Sequence, residues 1–209
     1  MDERIWAAID ADFFRKITDY EHGTALFLKV MNELIIQPVM HEFVAENELR
    51  GNQYLQELMK ANEIIVIHYS DYLKKEDKES YDCYFREAFE RINLYDFPKG
   101  EDIYAYAEKK ESLGEIRSFY MAKKMGYTYF MSDDADAKTL VRNFSSRKHT
   151  VIVQTLYDVF AECKKRGTCF TWKDIKVTAT NALRKRQDKL NDLKVIYGNP
   201  SEQNGNDIG

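Results

Sequence analysis

Short apolar stretches that alternate with longer helix-like segments constrain this 209-residue chain more than any other feature. The stretches are too short for core helices and rich in β-branched or aromatic residues, so each predicts a buried strand. They cover residues 5–9, 63–68, 127–131 and 150–153. Because helical segments separate them, the pattern predicts an α/β fold, with a short parallel sheet of about four to five strands flanked by helices.

The segments between these strands have the apolar spacing of helices. Helices are predicted at residues 12–20, 24–34, 52–62, 78–92, 103–110, 115–125, 132–143 and 172–195, the last with a break near 178–180. Another helix is expected to end at Gly167. Pro38 suits the first turn of a further helix, which would carry Glu42, because a first-turn amide has no partner inside the helix.

One domain is expected over residues 1–197, with a helical elaboration at 70–111 and a disordered tail at 198–209. The N-terminus carries acids and has no basic start before an apolar run, and no stretch of 18 apolar residues occurs. Three cysteines form no close pair of the metal-binding type. These observations predict a cytoplasmic protein with reduced thiols that does not span a membrane.

Aspartates follow two of the predicted strands at the point where each strand ends. Asp10 and Asp12 come after the first strand. Asp133, Asp134 and Asp136 come after the third. Ligands of parallel sheets bind beyond the carboxyl ends of the strands, so these carboxylates are expected at one edge of the sheet.

Two glutamates can join these aspartates: Glu115 begins the helix that leads into the third strand, and Glu42 lies one turn into a predicted helix. Carboxylates packed together repel one another unless one takes a proton or a cation binds. Hard oxygen ligands favour Mg²⁺ or Mn²⁺, which can orient water and neutralise the charge of a phosphate. The competing interpretation is helix capping, which is equally natural for Asp12 and Asp134 and less natural for Asp10.

Four segments each carry a weak sequence motif. Their order and spacing along the chain identify a family more specifically than any one segment does. The segments are IWAAIDADFFRKI (5–17), QPVMHEF (37–43), SLGEIRSFYMAKKMGYTYFMSDDADAKTLV (112–141) and TVIVQTLYDVFAECKKRGTCF (150–170). Together they resemble the PIN-domain family of nucleases, which includes the toxin ribonucleases of bacterial toxin–antitoxin pairs. The resemblance covers roughly two-thirds of the chain, and residues 70–111 carry no motif of the family.

Several expectations follow from this resemblance alone. It implies four catalytic, metal-binding acids: Asp10, Glu42, Glu115 and Asp133. Asp134 or Asp136 would replace or assist Asp133 as a metal ligand. The resemblance also implies Mg²⁺- or Mn²⁺-dependent cleavage of single-stranded or structured RNA, and it raises the prospect of an antitoxin partner. Whether the chain forms a homo-oligomer stays open.

The last third of the chain is basic beside an acidic remainder. Residues 1–139 hold 18 Lys/Arg and 28 Asp/Glu, whereas residues 140–198 hold 13 and 5. An acidic metal site repels RNA unless nearby cations attract the phosphate backbone. The candidates are Arg142, Arg147, Lys148, Lys164, Lys165 and Arg166, with Arg184, Lys185 and Arg186 on the last predicted helix. The same face could instead meet an acidic antitoxin segment, or be an ordinary solvated surface.

Two other functions are compatible with the same residues. In a haloacid-dehalogenase-type phosphatase, Asp10 would be the nucleophile and Asp12 the acid/base. However, Phe13 stands where that family places threonine, and the late Asp cluster lacks its preceding glycine. The second alternative is a catalytically inactive PIN-like interaction module, against which the presence of all four acids argues.

Overall fold

A computed structural model describes residues 4–20, 22–108, 112–145 and 150–198, and its core is one parallel sheet. The strands are β1 (Ile5–Ile9), β2 (Ile36–His41), β3 (Ile65–Ile67), β4 (Tyr129–Met131) and β5 (Ile152–Gln154). Their order is β3-β2-β1-β4-β5, and every pairing is parallel. The predicted α/β class, with a short parallel sheet flanked by helices, is therefore confirmed.

Helices connect and cover the strands. The α-helices are α1 (Ala11–Thr18), α2 (Gly23–Glu33), α3 (Gln53–Lys60), α4 (Tyr69–Tyr72), α5 (Lys78–Asn93), α6 (Leu113–Met125), α7 (Ala135–Phe144), α8 (Leu156–Lys165), α9 (Trp172–Ala182) and α10 (Gln187–Ile196). A π-helical segment, Val44–Glu48, and a 3₁₀ turn, Lys75–Asp77, complete the described elements. Among the described residues, none of these helices has the length and apolarity needed to cross a bilayer.

Both faces of the sheet are buried, as helix-covered parallel strands require. Side chains alternate along β1, so that Ala7 and Ile9 enter one core while Ala8 enters the other. The first core lies under α1, α2, α8, α9 and α10. The second lies under α4, α5, α6 and α7 and is dominated by aromatic rings.

The strand order brings the segments after β1 and β4 together. Ile9 and Met131 are aligned in the sheet, and the Asp10 amide donates to the Met131 carbonyl at 3.1 Å. On the other side of β4, the Ser132 amide donates to the Gln154 carbonyl at 3.1 Å. Residues 10 and 132–134 therefore leave the sheet side by side at its carboxyl edge.

The predicted helix at Pro38 is wrong, because this segment is strand β2. Pro38 is aligned with Ala7 of β1, and its ring nitrogen faces the β3 side. Pro38 has no partner in β3, because β3 pairs only with Val39 and the two residues that follow. A proline without an amide therefore leaves no sheet hydrogen bond unmade at that position. As a consequence, Glu42 follows a strand rather than lying within a helix.

Other element predictions differ in extent. The long helix predicted over 172–195 is two helices, and the break lies at 183–186 rather than at 178–180. No helix forms over the described part of 103–110, which consists of turns and extended chain up to residue 108. The predicted disordered tail lies outside the described residues apart from Gly198.

A fully buried arginine anchors the elaboration at 70–111 to the sheet domain. Arg117 on α6 donates to the carbonyls of Ile103 and Tyr106, each at 2.8 Å, and to the Tyr69 hydroxyl at 2.7 Å. Its guanidinium also lies 3.8 Å from the centre of the Phe43 ring. Carbonyl oxygens and rings thus replace most of the water that the buried cation gives up, although Nη1 of Arg117 has no hydrogen-bond partner among the described residues.

We expect Arg117→Met to lower the free energy of unfolding by about 3–5 kcal/mol, because it strands two buried carbonyls and a hydroxyl. For a chain of this size, the melting temperature should fall by roughly 10 °C. Arg91→Met is the matched control, since Arg91 is exposed and pairs with Glu87 on its own helix. Equal melting temperatures for the two variants would contradict the anchoring role.

Candidate metal centre at the carboxyl edge of the sheet

Asp10 stands at the centre of this edge and is 1% exposed. It caps α1, because its Oδ1 accepts a hydrogen bond from the Phe13 amide at 2.7 Å. The prediction that Asp12 caps this helix is therefore wrong, and Asp12 instead pairs with Lys16 one turn later. The other oxygen of Asp10, Oδ2, is buried and has no hydrogen-bond partner. One polar atom of the strand-end carboxylate is thus available to a ligand.

Asp133 follows the neighbouring strand β4 and is 7% exposed. Its Oδ1 accepts from the Leu156 amide in the first turn of α8 at 3.2 Å. Its Oδ2 has no hydrogen-bond partner and lies 3.5 Å from the Lys16 ammonium. Arg186, in the turn between α9 and α10, donates to the Asp133 carbonyl at 3.3 Å. Asp133 therefore resembles Asp10 in binding a helix start through one oxygen, while its other oxygen has no hydrogen bond and faces the Lys16 ammonium.

Glu115 and Glu48 complete the acidic group. Glu115 lies in the first turn of α6, as predicted, and is charge-coupled to Asp10, Glu48 and Asp134. Glu48, at the end of the π-helical segment, did not figure among the predicted acids. Its carboxylate accepts from the Gly114 amide at the start of α6.

Glycine at position 114 makes room for Glu48. A Cβ atom built there would lie 2.2 Å from Oε1 of Glu48. The Gly-Glu pair that resembles a PIN motif therefore has a physical role in this chain: the glycine admits one carboxylate and the glutamate supplies the next. The run Glu46-Asn47-Glu48 could have indicated Glu48 in the sequence, because it follows β2 and acids that follow a strand lie near the sheet edge. This interpretation requires that residues 36–41 are predicted as a strand.

The resemblance predicts that Glu42 joins the acids at the sheet edge. Its side chain instead contacts other residues. Its Oε1 accepts from the Tyr69 amide at 2.7 Å, and its Oε2 lies 2.6 Å from Nδ1 of His68. Both oxygens are thus held by the segment that follows β3. The Glu42 hydrogen bond raises the pKa of His68 above its ordinary value.

Asp134 and Asp136 have local partners. Asp134 caps α7 by accepting from the Asp136 amide at 2.8 Å, which confirms the capping interpretation for this residue. Asp136 accepts from the Ser112 hydroxyl at 2.5 Å and so links the starts of α6 and α7. Neither carboxylate has the unpartnered buried oxygen of Asp10 and Asp133, although Asp134 contributes negative charge near Glu115.

The acids disfavour one another's ionisation. Burial, which the Ser132 hydroxyl and the Phe13 amide only partly oppose, raises the pKa of Asp10 to about 7. Burial and the charges of Asp10 and Glu48 raise the pKa of Glu115 to about 9. Burial also raises the pKa of Asp133, against the opposing charge of Lys16. Such a group is stable in its charged form only when a cation is added.

The donor set fits a hard divalent cation. Mg²⁺ and Mn²⁺ prefer carboxylate oxygens, and Mg²⁺ keeps several waters while taking one or two protein carboxylates. The unpartnered oxygens of Asp10 and Asp133 could hold such an ion directly, and Glu48 and Glu115 could bind its waters. Among the described residues, three potential ligand atoms lie within 4.8 Å of one another only at Glu42, Glu46 and His68. Within the described residues no three acids of the edge come that close, so a metal there would need several waters as ligands.

The predicted basic residues lie in separate parts of the fold. The turn Arg184 to Arg186 reaches the acids through the contact of Arg186 with Asp133. Lys164, Lys165 and Arg166 lie at the far end of α8, where Arg166 donates to the Leu34 carbonyl ahead of β2. Arg142 lies in the last turn of α7, distant from its acidic start, and Arg147 and Lys148 lie outside the described residues. Only the turn therefore accompanies the acidic edge.

In the metal-free protein, we expect stability to fall as the pH rises from 6 to 9. Glu115 is protonated in the folded chain up to a pKa of about 9 but ionises near its ordinary value of 4.5 when unfolded, so the folded state holds more protons. In EDTA, the melting temperature of Glu115→Gln should decline less over this range than that of the wild type. Glu162→Gln, an exposed control whose carboxyl is already ionised, should keep the wild-type slope. Identical slopes for wild type and Glu115→Gln would refute the coupling.

We expect Gly114→Ala to fold normally, since alanine favours helices, and yet to displace the Glu48 carboxylate. The rise in melting temperature caused by Mn²⁺ should then need several-fold more metal, as in Glu48→Gln. The double variant should be no worse than Glu48→Gln alone. Lys123→Ala at the other end of α6 is the control. An unchanged Mn²⁺ titration in Gly114→Ala would show that Glu48 does not serve the metal.

Comparisons with protein-family models, with curated proteins and with solved structures find no match for the chain. The assignment of a function therefore depends on the geometry of the acidic edge.

Proposed function

We propose that the protein is a Mg²⁺- or Mn²⁺-dependent endoribonuclease of PIN type. One observation carries the proposal: two buried aspartates at neighbouring strand ends each have an oxygen without a hydrogen bond, and Glu48 and Glu115 lie near Asp10. Holding these carboxylates out of water costs stability, and removing any one of them would reduce that cost. A phosphodiester-cleaving metal site uses this arrangement directly.

Each residue of the edge has a role in this proposal. Asp10 and Asp133 would hold the ion, and Glu48 and Glu115 would accept hydrogen bonds from its waters. The ion, when bound, lowers the pKa of a water molecule and offsets the charge that develops on the scissile phosphate. Lys16 balances Asp12 and Asp133, so that the site is not so negative that it repels the substrate.

The choice of a polyanionic substrate is supported by cations that frame the acids. Arg186 contacts Asp133, and its neighbours Arg184 and Lys185 are exposed in the same turn. Guanidinium groups bind phosphate through paired hydrogen bonds and supply the attraction that an acidic centre lacks. The RNA specificity, the PIN family and an antitoxin partner come from the sequence resemblance and stay part of the proposal.

The phosphatase alternative is less well supported. Asp12, which would act as acid/base, is paired with Lys16. A catalytically inactive interaction module needs no metal site, so that alternative does not explain why Asp10 and Glu115 have raised pKa values.

The test is cleavage of a mixed set of RNAs with Mg²⁺ or Mn²⁺. We expect wild-type activity, and a loss of about 100-fold or more in Asp10→Asn, Glu48→Gln and Asp133→Asn, since each removes part of the metal environment. Glu42→Gln is the matched control for Glu48→Gln and should stay within about 3-fold of wild type, because Glu42 is held by the segment after β3.

The outcomes separate the alternatives. Absence of metal-dependent RNA cleavage by the wild type would refute the nuclease, and hydrolysis of a small phosphomonoester by the same sample would favour the phosphatase. Loss of cleavage in Glu42→Gln with retention in Glu48→Gln would keep the enzyme but overturn this arrangement of acids.

A further inference from the structure

Lys16 places a positive charge inside the acidic edge. It lies in the last turn of α1, and its ammonium nitrogen is 3.5 Å from Oδ2 of Asp133 and 2.5 Å from Oδ2 of Asp12. The side chain of Asp12 is nearly half-exposed, whereas that of Asp133 is only 4% exposed. One ammonium group therefore connects a surface carboxylate with a buried one.

The contact with Asp133 falls on the oxygen that a metal would need. Oδ1 of Asp133 accepts from the Leu156 amide, so Oδ2 is the atom left for a ligand. Among the described residues, Lys16 is the only cation that forms an ion pair with this carboxylate, since Arg186 contacts the main-chain carbonyl of Asp133. The ammonium of Lys16 and a metal ion would therefore compete for the same atom.

The two aspartates of the edge differ in the charges around them. Burial raises the pKa of Asp10, and the negative charges of Asp12 and Glu48 add to this effect. Burial also raises the pKa of Asp133, but the charge of Lys16 opposes that rise. In the metal-free protein, a lysine thus compensates the Asp133 side of the site and leaves the Asp10 side uncompensated.

An ammonium group and a divalent cation cannot share Oδ2 of Asp133 without cost. Carboxylate oxygens bind Mg²⁺ at about 2.0–2.1 Å, so an ion on this oxygen would lie within about 6 Å of the Lys16 nitrogen at its present position. Two positive charges at this distance repel each other where little water separates them. The waters of the ion also point their hydrogens outward, and an ammonium group is itself only a donor.

Lys16 already has the partner that would retain it. Asp12 lies one turn earlier on α1, at the i, i+4 spacing that favours ion pairs on a helix. The flexible stem of a lysine allows its nitrogen to leave Asp133 while the contact with Asp12 is kept. The ammonium group therefore stays paired after it is displaced.

We propose that Lys16 occupies the place of the metal at Asp133 in the metal-free protein and is left to Asp12 alone when an ion binds. Lys16 is then an internal competitor that lowers the affinity of the site for Mg²⁺ or Mn²⁺. Asp12 is the acceptor that makes its release possible. The inference rests on the proposed function for the identity of the ion, and it specifies how occupation of the same site is regulated.

Thermal unfolding with and without Mn²⁺ tests the competition in the absence of RNA. Lys16→Met keeps the length of the side chain and removes its charge. In EDTA, we expect this variant to melt below the wild type, because the buried Asp133 loses its cation. Its dissociation constant for Mn²⁺ should be lower than that of the wild type by about 10-fold or more, so added Mn²⁺ should narrow or reverse the difference in melting temperature.

Lys124→Met is the matched control. Lys124 also pairs with an aspartate of another element, Asp77, at 2.7 Å, but it lies at the opposite end of α6 from Glu115. This variant should lose the same stability with and without Mn²⁺. Lys16→Arg keeps the positive charge, and its dissociation constant for Mn²⁺ should stay within about 3-fold of the wild-type value.

A double-variant cycle tests the part of Asp12. Asp12→Asn should weaken Mn²⁺ binding several-fold in the wild type, because Lys16 then has no second carboxylate to retain it. The same substitution should have a much smaller effect in Lys16→Met, which has no ammonium group to release. Equal weakening in both backgrounds would mean that Asp12 acts on the metal directly, and it would overturn the displacement.

The outcomes separate this inference from the proposed function. Equal Mn²⁺ affinity of the wild type and Lys16→Met, with RNA cleavage by the wild type, would overturn the competition and leave the nuclease standing. Tighter Mn²⁺ binding by Lys16→Met, without RNA cleavage by either protein, would support the competition and refute the nuclease. If Mn²⁺ stabilises neither protein, both proposals fail.

Discussion

Burial of carboxyl groups at one edge of the sheet is the constraint on which the rest of this structure depends. Asp10 ends the central strand with its side chain almost fully enclosed, Glu48 and Glu115 are coupled to it by charge, and Asp133 ends the neighbouring strand. Bringing such groups out of water costs far more than one hydrogen bond returns. The four carboxyl groups at this edge therefore cost the folded state stability in the absence of a cation.

The surrounding sequence limits that cost in specific ways. Helix starts supply amides to Asp10, Asp133 and Glu48, where the helix dipole favours negative charge. Lys16 adds a positive charge 3.5 Å from Asp133. The Oδ2 atoms of Asp10 and Asp133 nevertheless have no hydrogen bond, so the compensation is incomplete at the atoms that would meet a metal.

The elaboration at 70–111 is connected to the same edge through Arg117. Arg117 lies two residues after Glu115 on α6, and its positive charge opposes the rise in the pKa of Glu48 that burial causes. Its donors hold the Ile103 and Tyr106 carbonyls of the elaboration. One buried residue thus links the aromatic second core, the acids and the elaboration, because a guanidinium can reach several partners in one plane.

The sequence by itself determined the parallel α/β class, most element positions and the strand-end location of Asp10 and Asp133, because hydrophobic period and strand-end acids are local signals. The sequence placed Glu42 in a helix, because Pro38 favours a helix start. Pro38 is tolerated in strand β2 only because β3 does not pair with that position. Glu48, the role of Gly114 and the distance of Lys164, Lys165 and Arg166 from the acids were decided by tertiary structure alone. These three features depend on which helix ends lie close together across the sheet. No pattern within a short segment of sequence predicts that arrangement.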